Sequence, residues 1–428
     1  MGKVVPDKQS NTQYTFLFLQ GPISPFFSLI ADELEKRGHR SLRINMCFGD
    51  WLLWRRPGAT SYRGTLTNWP EFISAYMQKE RVTHLLLLGE QRDYHKIAIN
   101  TAKELGIEVI VTDFGYIRPD WITFERNGMT GDSEFPRDAE EIRKIAKLVP
   151  EPDLSLHYRS SFRNQAIWDM TYHLSSTLMR PLYPCFRWHH VHHPIFVYLG
   201  IGLHLLTNRL NKQAANRTIR SLHKSGTKYF VYPLQMQNDF SIRAYSHYND
   251  QKEAIIEVLR SFTIHAPPDS RLIIKIHPLD PLLYNWRKFC LDYARSNKLT
   301  ERIDYIDGGS LEVLLQNSQG IVTINSTVGI WTLLAGRPII TLGMAMYDIE
   351  GLTFQGKLDD FWTKAEPPDT ALRDDFIRAV AGTLLLRGVY YNQPGLNNAV
   401  AEAVERLDRG LINVPLVKGE CEKLLATR

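Results

Sequence analysis

The sequence predicts an α/β protein built from two Rossmann-like domains. Its 428 residues, 44% of them apolar and 23% charged, are enough for two cores and too apolar for a disordered scaffold. Two separate stretches alternate apolar, strand-length runs with amphipathic helices, which is typical of parallel sheets covered on both faces. A basic, aromatic segment that fits neither pattern separates the two stretches.

The first stretch begins with YTFLFLQGP, an apolar strand that ends at Gln20-Gly21-Pro22. A helix with apolar residues at Phe27, Ile30 and Leu34 follows and stops at Gly38. The alternation continues with strands predicted at SLRINM, THLLLLGE and IEVIVTDFG and helices predicted at WPEFISAYMQKERV and HKIAINTAKELG.

The second stretch begins with KYFVYPLQMQND. Strands are predicted at RLIIKIHP, RIDYID, GIVTINS and RPIITLG, and helices over 250–264, 283–296, 310–316, up to 334 and over 369–385. A closing helix over 395–407 is separate from this stretch. Two such units predict the GT-B architecture, in which two Rossmann-like domains face a central cleft that holds the ligand. The alternative is a tandem of two unrelated α/β domains.

We place the domain boundaries by this pattern. Residues 1–225 form the N-terminal domain, including a helical insertion at about 165–225, and residues 226–394 form the C-terminal domain. The closing helix, in segment 395–428, could pack back across the N-terminal domain.

Composition excludes several function classes. The net charge of +5 is well short of that of a nucleic-acid coat. Four cysteines stand far apart without CxxC spacing, which argues against a disulfide framework and favours a reducing cytoplasm. No cleavable signal is visible, and the most apolar segment, Pro194–Thr207, is too short to span a bilayer. We therefore expect a soluble or peripheral protein.

The middle segment, Met170 to Asn238, contains no Asp or Glu but eight Lys or Arg and seven of the fourteen histidines. An acid-free, aromatic and apolar run followed by a basic helix is typical of an interfacial membrane element. The alternative is a helical hairpin that closes the first domain with solvated cations, and both interpretations can hold together.

Neither a metal nor a redox or nucleotide cofactor is predicted. His189, His190, His192 and His193 form a dense cluster, but no carboxylate or thiolate is placed to complete a site. Glycine-rich phosphate motifs of NAD and ATP sites are absent.

A different phosphate site is available at two strand ends. Lys275-Ile276-His277-Pro278 ends one strand and places both cations on one face, since strand side chains alternate. Asn325-Ser326-Thr327 follows another strand and opens a helix. Taken alone, the second motif could be a simple helix cap. Together the two motifs predict a site for a sugar-nucleotide phosphate.

KIHP and NSTVG, within this two-unit pattern, resemble the HP and S/T motifs of capsule-synthesis glycosyltransferases that use CMP-activated acids. VTDFGYIRPDWITFERNGM resembles the acidic-Gly-aromatic-x-Arg signature of this family, and PLQMQNDFSI its Gln-x-x-x-Asp-x-Ser-Ile signature. The similarity covers most of the chain and is closest to the KpsS-type capsule β-Kdo transferases.

The resemblance implies a reaction. Kdo, a ketose with a carboxylate at its anomeric carbon, would move from CMP-β-Kdo to a lysophosphatidylglycerol or phosphatidylglycerol acceptor. This transfer would start the poly-Kdo linker of a group 2 capsule. The enzyme would be peripheral on the cytoplasmic face of the inner membrane, with an acceptor-side N-terminal domain and a CMP-sugar-binding C-terminal domain. Other capsule synthesis or export proteins are implied partners, and nucleic acid is not.

Family relatives retain anomeric configuration through a glycosyl-enzyme, which requires one nucleophilic carboxylate and one acid/base. By motif, Asp239 matches the nucleophile and Asp113 the acid/base, although relatives tend to have Glu-Asp-Gly where this chain has Asp113-Phe114-Gly115. The simpler interpretations are an Asx-turn at Asp239 and a cap at Asp113. Further candidates for binding sugar or acceptor are Gln20, Gly21, Arg118, Glu125 and Gln235.

Two rival functions fit the same sequence features. One is a CMP-sialic acid-dependent capsule sialyltransferase, which would invert configuration and would not need Asp239 as a nucleophile. The other is a non-catalytic, membrane-bound subunit of the capsule export machinery.

Overall fold

The computed structural model describes residues 13–188, 194–236 and 240–416. The described strands, in chain order, are β1 (Thr15–Phe18), β2 (Arg40–Asn45), β3 (Ala59–Ser61), β4 (His84–Leu88), β5 (Glu108–Phe114), β6 (Trp121–Arg126), β7 (Tyr229–Pro233), β8 (Arg271–Lys275), β9 (Ile303–Ile306), β10 (Gly320–Thr323), β11 (Ile339–Thr341) and β12 (Leu385–Arg387).

Helices alternate with these strands. The described α-helices are α1 (Phe26–Lys36), α2 (Phe48–Trp54), α3 (Trp69–Lys79), α4 (Asp93–Glu104), α5 (Ala139–Leu148), α6 (Phe162–Leu178), α7 (Pro194–Ser225), α8 (Phe240–Ala244), α9 (Gln251–His265), α10 (Trp286–Ser296), α11 (Leu311–Asn317), α12 (Val328–Leu334), α13 (Leu358–Lys364), α14 (Thr370–Thr383) and α15 (Gly395–Asp408).

The chain divides into two compact units. The first consists of the described residues within Met1–Asp113, His157–Arg187 and Leu386–Ile412. The second consists of the described residues within Phe114–Leu156, Trp188–Leu385 and Asn413–Arg428. Both units are therefore assembled from segments that are distant in the chain.

In the first unit, strands β1 to β5 pair in parallel in the order β3-β2-β1-β4-β5. This is the order of Rossmann-type sheets, with its switch point between β1 and β4. Phe16, Leu17 and Phe18 of β1 are fully buried, as expected for a central parallel strand.

The second unit repeats the same topology. Its five parallel strands have the order β9-β8-β7-β10-β11, so the switch point lies between β7 and β10. The two parallel sheets confirm the predicted α/β class with two Rossmann-like units. The cleft between them stays a prediction.

Side-chain caps set the starts of several helices in the second unit. Asp250, Ser310 and Asp369 accept hydrogen bonds from backbone N–H groups in the first turns of α9, α11 and α14. Asn285 caps α10 in the same way, so this helix begins three residues later than the predicted 283.

Helix α15 belongs to the first unit, where it packs beside α1. Arg37, just after α1, donates to Glu405 at 2.9 Å and to Asp408 at 2.7 Å. His39 lies 2.8 Å from the second carboxylate oxygen of Asp408. These contacts link α15 to the end of α1 and the residues that follow it.

Two helices, α6 and α7, account for most of the described part of the acid-free middle segment, and β7 lies near its end. Helix α6 belongs to the first unit and α7 to the second. Among the described residues, no helix is long and apolar enough to cross a membrane. The histidine cluster at 189–193 lies outside the described residues.

Candidate active site

The carboxyl ends of β7 and β10 are joined by a pair of amide side chains. Gln235, just after β7, accepts from the backbone N–H of Asn325 at 3.2 Å and donates to its Oδ1 at 2.9 Å. Both side chains are buried. Since the two strands flank the switch point, this pair lies where Rossmann-type sheets bind ligands.

Asn325 also bonds to the backbone just after the Gln-x-x-x-Asp signature. Its Nδ2 donates to the carbonyl oxygen of Ser241 at 2.8 Å. Thus Gln235 and Ser241, which flank segment 237–239, are both bonded to Asn325. Asp239, the predicted nucleophile, lies in that segment, outside the described residues.

Lys275 ends the adjacent strand β8 and is 5% exposed. Its Nζ donates to the carbonyl oxygen of Gly308 at 2.7 Å, and no second hydrogen bond to Nζ occurs among the described residues. Burial lowers the pKa of Lys275, which the nearby Asp307 partly opposes. An ammonium has three N–H donors, so two remain for an anion.

His277 lies two residues beyond this strand end and is half-buried. Its Nδ1 accepts from the backbone N–H of Leu279 at 3.1 Å. The proton of a neutral ring must then be on Nε2, which makes that nitrogen a donor. Pro278 follows in an exposed turn.

Ser326 and Thr327 precede the short helix α12. The Ser326 hydroxyl accepts from the backbone N–H of Val328 at 3.2 Å, and its carbonyl oxygen accepts from the Tyr347 hydroxyl at 2.6 Å. The half-buried Thr327 hydroxyl makes no hydrogen bond among the described residues. Ser326 therefore shapes the turn, and Thr327 offers its hydroxyl.

Glu125, at the end of β6, is fully buried. Its Oε1 accepts from the Tyr116 hydroxyl at 2.6 Å and its Oε2 from the Ser133 hydroxyl at 2.5 Å. The carboxylate thus fastens the loops on both sides of β6. Arg118 is exposed in the preceding loop, with its guanidinium 5.5 Å from the centre of the Phe114 ring.

Gln20 belongs to a buried polar network of the first unit. Its amide donates to the Tyr172 hydroxyl at 3.0 Å and to Asp50 at 3.3 Å, and that hydroxyl also donates to Asp50 at 3.0 Å. Burial and the Asp50 charge hold the pKa of Tyr172 well above its ordinary value. At Gly21, an added Cβ would lie 2.4 Å from the Phe27 ring, so packing requires a glycine there.

Asp113 is half-buried at the end of β5. Arg92, which follows β4 and precedes α4, interacts electrostatically with both Asp113 and Asp50. Burial lowers the pKa of Arg92, and these acids oppose the shift. No side-chain hydrogen bond of Arg92 occurs among the described residues.

Arg92 is the residue that sequence reasoning missed. It lies at the switch point of the first sheet, beyond the carboxyl end of β4. The sequence does show that Arg92 follows the apolar run THLLLLGE. It does not show that β4 lies beside β1, which is what places Arg92 at the switch point.

The structure brings together the predicted residues of the second unit's sheet. The backbone N–H of Leu234 donates to the carbonyl oxygen of Lys275 at 2.8 Å, so the ends of β8, β7 and β10 form one continuous edge. Gln235, Lys275 and Asn325 lie along this edge. Asp113 and Gln20 lie in the first unit. Among the described residues, no group of His, Cys, Asp and Glu has a metal-binding arrangement.

Comparisons with known proteins give a consistent result. The model of a family described as "Capsule polysaccharide biosynthesis protein" matches residues 83–391. The chain is 32% identical to "Capsule polysaccharide export protein KpsS" of Escherichia coli, over 88% of this chain and 96% of the relative. It is 30% identical to "Capsule polysaccharide modification protein LipB" of Neisseria meningitidis, over 88% and 91% respectively.

Among solved structures, the chain is similar to the "beta Kdo 2,7 transferase" part of Thermosulfurimonas dismutans KpsC. The identity is 15% and the TM-score 0.45, and the match covers 92% of this chain and 99% of that one.

Proposed function

Since the chain belongs to the capsule polysaccharide biosynthesis protein family, we propose that it is a retaining β-Kdo transferase. It would move Kdo from CMP-β-Kdo to lysophosphatidylglycerol or phosphatidylglycerol and so start the poly-Kdo linker of a group 2 capsule. The observation that carries this proposal is the edge formed by Lys275, Gln235 and Asn325 at the switch point of the second sheet.

In the proposed donor site, the phosphate of CMP accepts from Lys275, from Nε2 of His277 and from the Thr327 hydroxyl. Two of the three Lys275 donors and the Thr327 hydroxyl have no partner among the described residues. A buried ammonium with unused donors is suited to an anion, because charge-assisted bonds strengthen where water is excluded.

The proposed reaction has two displacements. The Asp239 carboxylate attacks the anomeric carbon of Kdo, and the bond from that carbon to the phosphate oxygen breaks, so that CMP leaves with the electron pair. A lipid hydroxyl then attacks the same carbon, Asp113 takes its proton, and the bond to the Asp239 oxygen breaks. Two inversions give net retention.

The described residues around Asp239 suit this role. Gln235 and Ser241, which lie on either side of Asp239 in the chain, are both hydrogen-bonded to Asn325. In the first unit, Arg92 interacts electrostatically with Asp113, the proposed acid/base.

The remaining candidates receive supporting roles. Arg118, an exposed guanidinium on a loop fastened by Glu125, would bind the Kdo carboxylate. Gln20 and Gly21 would border the acceptor side. The acceptor lipid implies a peripheral location on the cytoplasmic face of the inner membrane, where other capsule synthesis or export proteins are candidate partners.

The experiment that tests this function uses fluorescent lysophosphatidylglycerol and donor generated in situ, with mass spectrometry of the lipid. We expect the lipid to gain Kdo from CMP-Kdo and to gain nothing without a donor. Transfer from CMP-sialic acid alone would indicate the sialyltransferase. Transfer from neither donor would leave the export-subunit function as the better account.

A further inference from the structure

Helix α7 has an inner face that packs tightly on the second unit. At Gly200, an added Cβ would lie 2.0 Å from the Pro281 carbonyl oxygen, in the loop after β8. Further along, Ala215, Ile219 and Leu222 are buried in a cluster that includes residues of β7, β8 and β9. The helix is therefore fixed along most of its length.

A buried histidine anchors the middle of this face. His204 is 3% exposed; its Nδ1 lies 2.9 Å from the Asp280 carbonyl oxygen and its Nε2 lies 2.9 Å from both carboxylate oxygens of Asp307. The ring therefore links α7 to the loop after β8 and to Asp307, the residue that follows β9. Asn211, about two helical turns further on, donates to Asp307 at 2.7 Å.

This anchor touches the donor site. Asp307 directly precedes Gly308, whose carbonyl oxygen accepts from Lys275. An added Cβ at Gly308 would lie 3.0 Å from Cα of Lys212 in α7. The inner face of α7 thus contacts the turn that holds the Lys275 ammonium.

The outer face of α7 is apolar and exposed. Phe196, Leu199, Leu203, Leu206 and Leu210 are 61%, 62%, 64%, 81% and 71% exposed. Their spacing of three and four residues places them in one stripe along the helix. The stripe extends about 21 Å at 1.5 Å per residue. An exposed apolar stripe of this length indicates an interaction surface.

Charge indicates what covers the stripe. Helix α7 contains no Asp or Glu. From residue 209 onward, four exposed cations flank the stripe, and they are Arg209, Arg217, Arg220 and Lys224. An apolar stripe with flanking cations is complementary to an anionic bilayer, whereas pairing with a second copy would bring two sets of like charges together.

We propose that α7 lies in the interface of an anionic bilayer, with the stripe among the acyl chains and the cations at the headgroups. The opposite face of the same helix contacts the Gly308 turn, so docking brings the donor site to within about one helix diameter, ~10 Å, of the lipid surface. The proposal stands on the surface of α7 alone and does not require the proposed reaction.

The test is binding to vesicles of phosphatidylglycerol and phosphatidylcholine, measured by co-sedimentation. A variant with Leu203→Gln, Leu206→Gln and Leu210→Gln should bind at least about tenfold more weakly. Ile264→Gln is the matched control, because Ile264 is 63% exposed on α9, and it should bind as the wild type does. Neutralising Arg209, Arg217, Arg220 and Lys224 should flatten the salt dependence of binding.

Hydrogen exchange of the unmodified protein provides a second, independent measurement. Vesicles containing phosphatidylglycerol should slow exchange in the peptides that cover the stripe, and phosphatidylcholine alone should have little effect. Equal vesicle binding by the triple variant, or equal binding of the wild type to uncharged vesicles, would overturn the proposal. So would a wild-type dimer in sedimentation equilibrium that the triple variant abolishes while vesicle binding is unchanged.

Discussion

At the scale of single residues, His277 is oriented by its neighbour Leu279, whose backbone N–H fixes the ring proton on Nε2 of the neutral ring. His277→Ala should lower CMP affinity about ten- to a hundredfold, since a charge-assisted hydrogen bond contributes roughly 1.5–3 kcal/mol. Isothermal titration calorimetry measures this. His265→Ala is the control, because His265 lies on α9 and pairs with Asp359. Unchanged CMP affinity in His277→Ala would remove the ring from the donor site.

Gln235 offers a test of the edge between β7 and β10. Gln235→Ala leaves the buried N–H and Oδ1 of Asn325 without these partners, so the free energy of unfolding should fall by about 1–3 kcal/mol. Urea unfolding measures the loss, with Gln316→Ala, an exposed position on α11, as the control. Equal stability of the two variants would contradict the structural role of the pair.

His95 predicts a pH dependence of stability. Burial, followed by the Arg92 charge, lowers the pKa of His95 to about 3 in the fold, below its ordinary value of 6.5. As pH falls below 6.5, the unfolded chain gains a proton that the fold cannot take, so stability is lost. From pH 7 to pH 5 this loss amounts to about 2 kcal/mol for one such group.

His95→Asn tests this dependence. The ring Nδ1 lies 2.8 Å from the Gly89 carbonyl oxygen, and an asparagine amide can donate to it instead. Urea unfolding at pH 7 and pH 5 should show a smaller decrease for His95→Asn than for the wild type. An identical decrease in both proteins would mean that another group titrates.

At the scale of elements, α7 contains one glycine that is required by tight packing, Gly200, and one that is not, Gly202. Gly200→Ala forces a methyl group against the Pro281 carbonyl oxygen and should lower the melting temperature. Gly202→Ala meets nothing within 4 Å and should be neutral or stabilising, by up to about 1 kcal/mol. Thermal unfolding of both variants measures the difference. Equal melting temperatures would contradict the close packing of α7 on the loop after β8.

Strands and helix starts are the features that local sequence predicts well. The apolar run TFLF forms β1, and the helices predicted from 250, 310 and 369 begin one residue later, because Asp250, Ser310 and Asp369 cap them. The start of α10 was predicted too early, because apolar residues continue before its cap, Asn285.

At the scale of the whole molecule, contacts between residues that are far apart in the sequence limit what the sequence can predict. Alternating strands and helices predicted two sheets of Rossmann type, and both sheets have the corresponding strand order. The motifs could indicate Lys275 and Asn325 individually. The hydrogen bonds between Gln235 and Asn325 span 90 residues, and only the order of β8, β7 and β10 brings Lys275 to the same edge.

The first unit illustrates the same limit. Tyr172 bonds to Gln20 across 152 residues, because the segment His157–Arg187 returns to the unit that holds β1. Neither the network around Asp50 nor the position of Arg92 has a local signature. Local patterns specify elements, whereas these contacts depend on which elements become adjacent.

The proposed function is tested most directly at Asp239, because a double displacement requires a covalent bond between Kdo and this residue. Wild-type protein should be incubated with CMP-Kdo and no acceptor, then analysed by intact-protein mass spectrometry and peptide mapping. We predict an adduct of one Kdo that maps to the peptide spanning Gln235 to Arg243 and that Asp239→Asn lacks, although this variant still binds CMP. An adduct on another peptide, or full transfer activity in Asp239→Asn, would contradict the account.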